Sequence, residues 1–232
     1  NSGLISVSAK AVADADSGLG DDAYARATIG NGIVQGIESG INSSVSLTNS
    51  GTLSVDATAS ATGYNAIAGA GVQNGVDQYV LGSTSSSASL TNSSPESIDV
   101  SAIANASGTA YAGASAYAAG GVDQSVNGGT AVADVDNSGA INVSAAASAS
   151  AYGSAYGAAF AVANVGYGVN QQVSGTTADA GVINSGTIDV SAAATADAVG
   201  TAYAVANIGN GVYQSASGNT SAVASITNSG TV

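Results

Sequence analysis

A chain of 232 residues with 32 glycines, one proline and no cysteine, methionine, tryptophan or histidine offers few reactive groups. Only Lys10 and Arg26 oppose fifteen acids, and the net charge of −13 excludes the phosphate neutralisation that nucleic-acid binding needs and opposes docking on anionic lipid. No disulfide can form and no Ser-His-Asp triad can be built, yet 45% hydrophobic residues, many of them Val and Ile, are too many for a disordered segment.

The first predicted element follows Asn1-Ser2-Gly3. Ile5, Val7 and Ala9 alternate with Ser6 and Lys10, the period of two that marks a half-buried strand. In the second element Ala23, Ala25, Ala27 and Ile29 alternate with Tyr24 and Arg26. Arg26 fixes that alternate set as the outside, so the alanines face in. The third carries Ile33, Gln35 and Ile37 on its inner parity, after the Gly30-Asn31-Gly32 turn. The fourth ends the unit with Val45 and Leu47.

The four elements then recur. Asn-Ser-Gly returns at Asn49, Asn137, Asn184 and Asn228, with Asn-Ser-Ser at Asn92, in steps of 48, 43, 45, 47 and 44 residues. Self-similarity at such a period signals a repeat architecture. A single domain is expected, with repeats at 1–48, 49–91, 92–136, 137–183 and 184–227 and a sixth begun at 228–232. Alanine parity returns at Ala66/Ala68/Ala70, Ala112/Ala114/Ala116, Ala159/Ala161/Ala163 and Ala202/Ala204/Ala206. It predicts Ala204 inside and Val205, Phe160 and Tyr203 outside. Each unit also divides in two, since Ile208-Gly-Asn210-Gly211 resembles Ile226-Thr-Asn228-Ser-Gly230. The fold expected is therefore all-β: a parallel β-solenoid of about ten coils, two per repeat, flattened, right-handed and lined by Ala, Val and Ile. Ten coils at the parallel-strand spacing predict a rod of roughly 48 Å.

Two polar columns stand out. Gln35, Gln78, Gln124, Gln171 and Gln214 lie on the inner parity, where a buried amide must find partners; an amide ladder that fixes register fits better than a ligand row. Asn49, Asn92, Asn137, Asn184 and Asn228 sit at the turns, where Asn tolerates positive φ and bonds its own backbone. No cofactor is expected. Calcium is the one cation that the acidic clusters Asp14/Asp16/Asp21/Asp22 and Asp134/Asp136 could hold, though neither has EF-hand spacing. No carboxylate pair stands apart from the repeat as glycosidase chemistry requires, so no enzyme is expected. Outward Thr28 and Thr58 have no counterpart in every unit, against an ice-binding face.

Runs such as Val182-Ile-Asn-Ser-Gly-Thr-Ile-Asp-Val190 and Ile226-Thr-Asn-Ser-Gly-Thr-Val232 resemble the passenger repeats of bacterial autotransporters and filamentous-haemagglutinin-like adhesins. A weaker likeness is to secreted functional-amyloid subunits. The resemblance implies secretion, a parallel β-helix and a role as stalk, adhesin or matrix fibre. An extracellular or cell-surface structural protein follows, partnered end to end with itself or with a host or matrix surface. A binding module that reads glycan, ice or a protein with one face is the alternative.

Overall fold

The computed structural model describes residues 1–15, 20–153 and 156–232. Among them are ten strands and no helix: β1 Leu4–Asp14, β2 Asp22–Ile37, β3 Asn42–Asn49, β4 Thr52–Leu81, β5 Ser85–Asn92, β6 Ser97–Asn137, β7 Ala140–Ala151, β8 Ala158–Asn184, β9 Thr187–Ala198 and β10 Thr201–Asn228. All ten join one sheet, and every ladder between them is parallel.

The sheet curls. β6 runs for 41 residues, and straight it would reach roughly 135 Å at a rise of about 3.3 Å per residue. Instead Ile98 and Val100 near its start share one apolar cluster with Ala118 and Val122 further along. Glycine at the bend lets the walls meet. A Cβ on Gly75 would stand 2.7 Å from Val100 Cγ2, and one on Gly121 would stand 2.7 Å from Ile141 Cγ2. The first segment of each repeat thus packs against the bend of the repeat before it.

Alternation along the strands decides which side chains enter. Leu53, Val55, Ala57, Ala59 and Ala61 are buried, as are Ala66, Ala68, Ala70 and Val72 across from them. Alanine on both walls makes the core thin, because burial per side chain is small and close approach of the backbones must supply the packing. A second cluster joins Val80, Val126 and Val173 to Ala88, Ala133 and Ala180. Ile5, Val7 and Ala9, in the first repeat, are only partly buried.

Two expectations are corrected. The ladder step is a whole repeat, not half of one: Leu53 pairs with Ile98, Ile98 with Ile141 and Ile141 with Ile188. Among the described ladders none joins the two halves of one repeat. Ten stacked coils therefore become five layers, spanning roughly 24 Å along the ladder direction. The physical reason is the inward glutamine of the third segment, which occupies that place once per repeat and finds its counterpart's amide only at that step. The second correction concerns the last layer. Ala202, Ala204, Ala206 and Ile208 are exposed. Among the described residues no segment packs over them, and Thr231 makes one bridge to Thr187.

Candidate functional site

Two amide columns run through the layers. In the first, Gln78 Nε2 donates to Gln35 Oε1 at 2.7 Å, Gln124 to Gln78 at 2.7 Å, Gln171 to Gln124 at 2.8 Å and Gln214 to Gln171 at 2.8 Å. The second N–H of each amide is taken by a backbone carbonyl across the core: Ser46 for Gln35, Ser89 for Gln78, Asp134 for Gln124, Gly181 for Gln171 and Ser225 for Gln214. The column therefore also ties the third segment of each repeat to the fourth. Gln78, Gln124 and Gln171 are fully buried, while Gln35 and Gln214, in the outer layers, are half-buried.

The second column is Asn1, Asn49, Asn92, Asn137, Asn184 and Asn228. Each Nδ2 donates to the Oδ1 of the next, at 2.8, 2.9, 2.8, 2.7 and 2.8 Å in turn. The other N–H reaches the carbonyl of Ser97, Ala140, Thr187 or Thr231 from Asn49, Asn92, Asn137 and Asn184. Asn49, Asn92, Asn137 and Asn184 are buried and Asn228 is exposed. These residues end strands in extended backbone. Positive φ, which Asn tolerates at a turn, occurs among the described residues only at Gly20.

The columns have opposite polarity. Asparagine donates towards the later repeat and glutamine towards the earlier one. A backbone carbonyl can only accept, so the carbonyl bond of each amide fixes which atom is nitrogen. Every buried amide in the middle layers is satisfied, which makes both columns cohesive rather than reactive.

A third network was not legible in the sequence. Asn31 Nδ2 donates to Asp77 Oδ2 at 2.9 Å, and Asn170 Nδ2 to Asp123 Oδ1 at 2.9 Å. The Tyr167 hydroxyl lies 3.0 Å from Asp123 Oδ2 and 3.1 Å from Asn74 Oδ1. Its single proton goes to the charged carboxylate. With the Asn74 amide turned so that its nitrogen faces the phenol, both contacts become bonds. Tyr167 spans two layers because layer three has Gly120 beneath it, where a Cβ would meet its ring at 1.9 Å. Burial, then the charge of Asp123, pushes the Asp77 carboxyl above the usual range. The same two causes push the Tyr167 phenol up.

The outer surface carries an aromatic strip and a groove. Tyr111, Phe160 and Tyr203 form a run of neighbouring rings, with Tyr24 and Ile67 exposed in the layers before them. Beside Tyr24 and Tyr117 lies an open groove of about 450 Å³ whose floor is Gly69 and Gly71.

Asp14, Asp21, Asp22, Asp134 and Asp136 lie on or beside strands, while Asp16 falls outside the described residues. Among the described residues no group of three or more His, Cys, Asp or Glu side chains is arranged to hold a metal ion. No family model, curated protein or solved structure matches the chain.

Proposed function

We propose that this curled, layered sheet is a flattened, right-handed β-solenoid that serves as a structural fibre or adhesin stalk outside the cell, on a bacterial surface or in a biofilm matrix. The observation that carries the reading is the pair of inward amide columns, which invest the most specific polar residues of every repeat in holding layer to layer. A catalytic protein concentrates its polar residues at one place; this chain distributes them along an axis, and catalysis has no part in the proposal. The titratable groups of the Tyr167 network are held by bonds to one another or to asparagine amides, which supports the same view. Secretion and surface display rest on the resemblance to passenger repeats.

End-to-end association of copies belongs to this reading. An edge layer carries unpaired backbone groups, and a further layer would meet Gln214 and Asn228 with the same two column polarities as inside the stack. Electron microscopy of the purified chain tests the proposal. Smooth rods of uniform width, extending far beyond the roughly 24 Å of one copy, are expected at high protein concentration. Globular particles with no axial order would overturn it.

A further inference from the structure

The outward face of the second segment carries an apolar column that the stalk role does not require. Tyr24, Ile67, Phe160 and Tyr203 are register partners in layers one, two, four and five, and layer three has Gly113 at that position. Tyr111 closes the gap. A Cβ on Gly113 would stand 3.1 Å from Tyr111 Cε1, so the tyrosine ring lies over the glycine. That ring stacks on Phe160 with centroids 5.7 Å apart, and Phe160 lies 6.3 Å from Tyr203. The row therefore has a large apolar or aromatic side chain in each of the five layers, although it draws on two different positions of the repeat. Tyr24 is 64% exposed and Tyr203 55%.

Packing among the rings accounts for Tyr111, Phe160 and Tyr203. It does not account for Tyr24 and Ile67, which stay exposed in front of them. Nor does packing explain the shelf beside Tyr24 and Ile67. A Cβ on Gly69 would meet nothing within 4 Å and one on Gly71 only ordinary contacts, and neither has positive φ. Glycine in a strand without a packing reason marks close approach by something else.

We propose that this strip binds a neutral, linear polysaccharide lying along the stack axis. Three features select that partner. The strip is narrow, and its polar border is the Asp22 carboxylate with the Asn65 amide on one side, in layers one and two, and the Asn164 and Asn207 amides on the other, in layers four and five, each pair bonded at 2.8 Å. Such a border suits the hydroxyl edges of a sugar chain whose ring faces lie on the aromatics, and it suits a broad protein interface poorly. The charge of −13 repels polyanions, which leaves neutral chains. The row also repeats at one side chain per ladder step of about 4.8 Å, a spacing close to one pyranose along an extended glycan. The site goes beyond the stalk reading and stands on different residues.

Titration calorimetry of the whole chain with cellohexaose, chitohexaose and mannohexaose tests it, with oligogalacturonate as the charged comparison. At least one neutral hexasaccharide is expected to bind, and each ring removed by Phe160→Ser or Tyr203→Ser should weaken it about tenfold. Tyr24→Ser should weaken it too; this ring makes no stacking contact among the described residues, so its loss leaves the melting curve unchanged. Val34→Ser, on another exposed face, should change nothing. Absence of binding by all three neutral sugars overturns the proposal, as does preference for oligogalacturonate or indifference to the three variants. A lateral dimer that Tyr203→Ser dissolves would also overturn it, by giving the strip to a second copy. Rods seen by microscopy would survive each of these outcomes, so the two proposals fail separately.

Discussion

Gln124→Ala is the sharpest perturbation of the inner columns. The side chain is fully buried; its Nε2 donates to Gln78 Oε1 at 2.7 Å and to the Asp134 carbonyl at 3.1 Å, and its Oε1 accepts from Gln171 at 2.8 Å. Truncation leaves Gln78 Oε1 buried without a donor, while Gln171 keeps its bonds to the Ala133 and Gly181 carbonyls. One orphaned acceptor, the lost bonds and a small cavity together cost about 3–5 kcal/mol. Gln35→Ala, in the half-buried outer layer, removes the bond to the Ser46 carbonyl and one acceptor for Gln78, which keeps Ser89. That change should cost only about 1 kcal/mol. Urea titration followed by circular dichroism reads the difference. Because stacked repeats can unfold in stages, hydrogen exchange of the amides in β6 and β8 should accompany it, with Gln124→Ala opening both strands. Equal, small losses for the two variants would refute the claim that the column holds the middle of the stack.

Three further outcomes follow from the same geometry. Ala161→Asp places a carboxylate in the closed core and should prevent folding, whereas Val162→Asp, on the outer parity, should fold with a melting curve close to that of the parent. Gly121→Ala drives a Cβ to within 2.7 Å of Ile141 Cγ2 and of the Gly168 carbonyl, and should lower stability by about 1–3 kcal/mol in a denaturant titration. The raised carboxyl of Asp77 has a defined sign: the folded state holds its proton more tightly than the unfolded state, whose value is near 3.8. This group therefore adds stability as pH falls through its raised value towards 3.8 and withdraws it as pH rises again. Asp77→Asn should flatten that part of the stability–pH curve, and an unchanged slope would contradict the assignment.

Period-two alternation made most of the fold legible. With Arg26 outside, the repeating alanine parity of the second segment lies inside in the first four layers, and so does the glutamine of the third. Layer five departs because burial needs a neighbour: Ala204 has the same parity as Ala161, but only Ala161 is covered. The turns at Asn210 and Asn228 look alike in sequence, and similarity of turns says nothing about which strand lies beside which, so the stacking step is not legible there. Asparagine type permits a turn former as readily as a stacked amide; the column depends on each Asn lying in register with its counterpart one repeat on. Tyr167 and Tyr111 escaped for a common reason. Each reaches over a glycine, Gly120 or Gly113, in a different layer or at a different position of the repeat, and no local pattern pairs a large residue with a distant gap.

Each repeat stacks in register on the next, with a step of one whole repeat. The chain has no cysteine, so paired cysteines report on it directly. Asp56 and Ser101 are ladder partners in adjacent repeats, at a strand spacing of about 4.8 Å that suits a disulfide. Asp56 and Tyr79 both lie on the outer parity, in the first and third segments of one repeat, and would come together only if the two halves stacked. Oxidation of the Asp56→Cys/Ser101→Cys variant should close an internal disulfide in the folded chain, seen as a shift in non-reducing electrophoresis, while Asp56→Cys/Tyr79→Cys stays reduced. A disulfide in the second variant and none in the first would contradict the account.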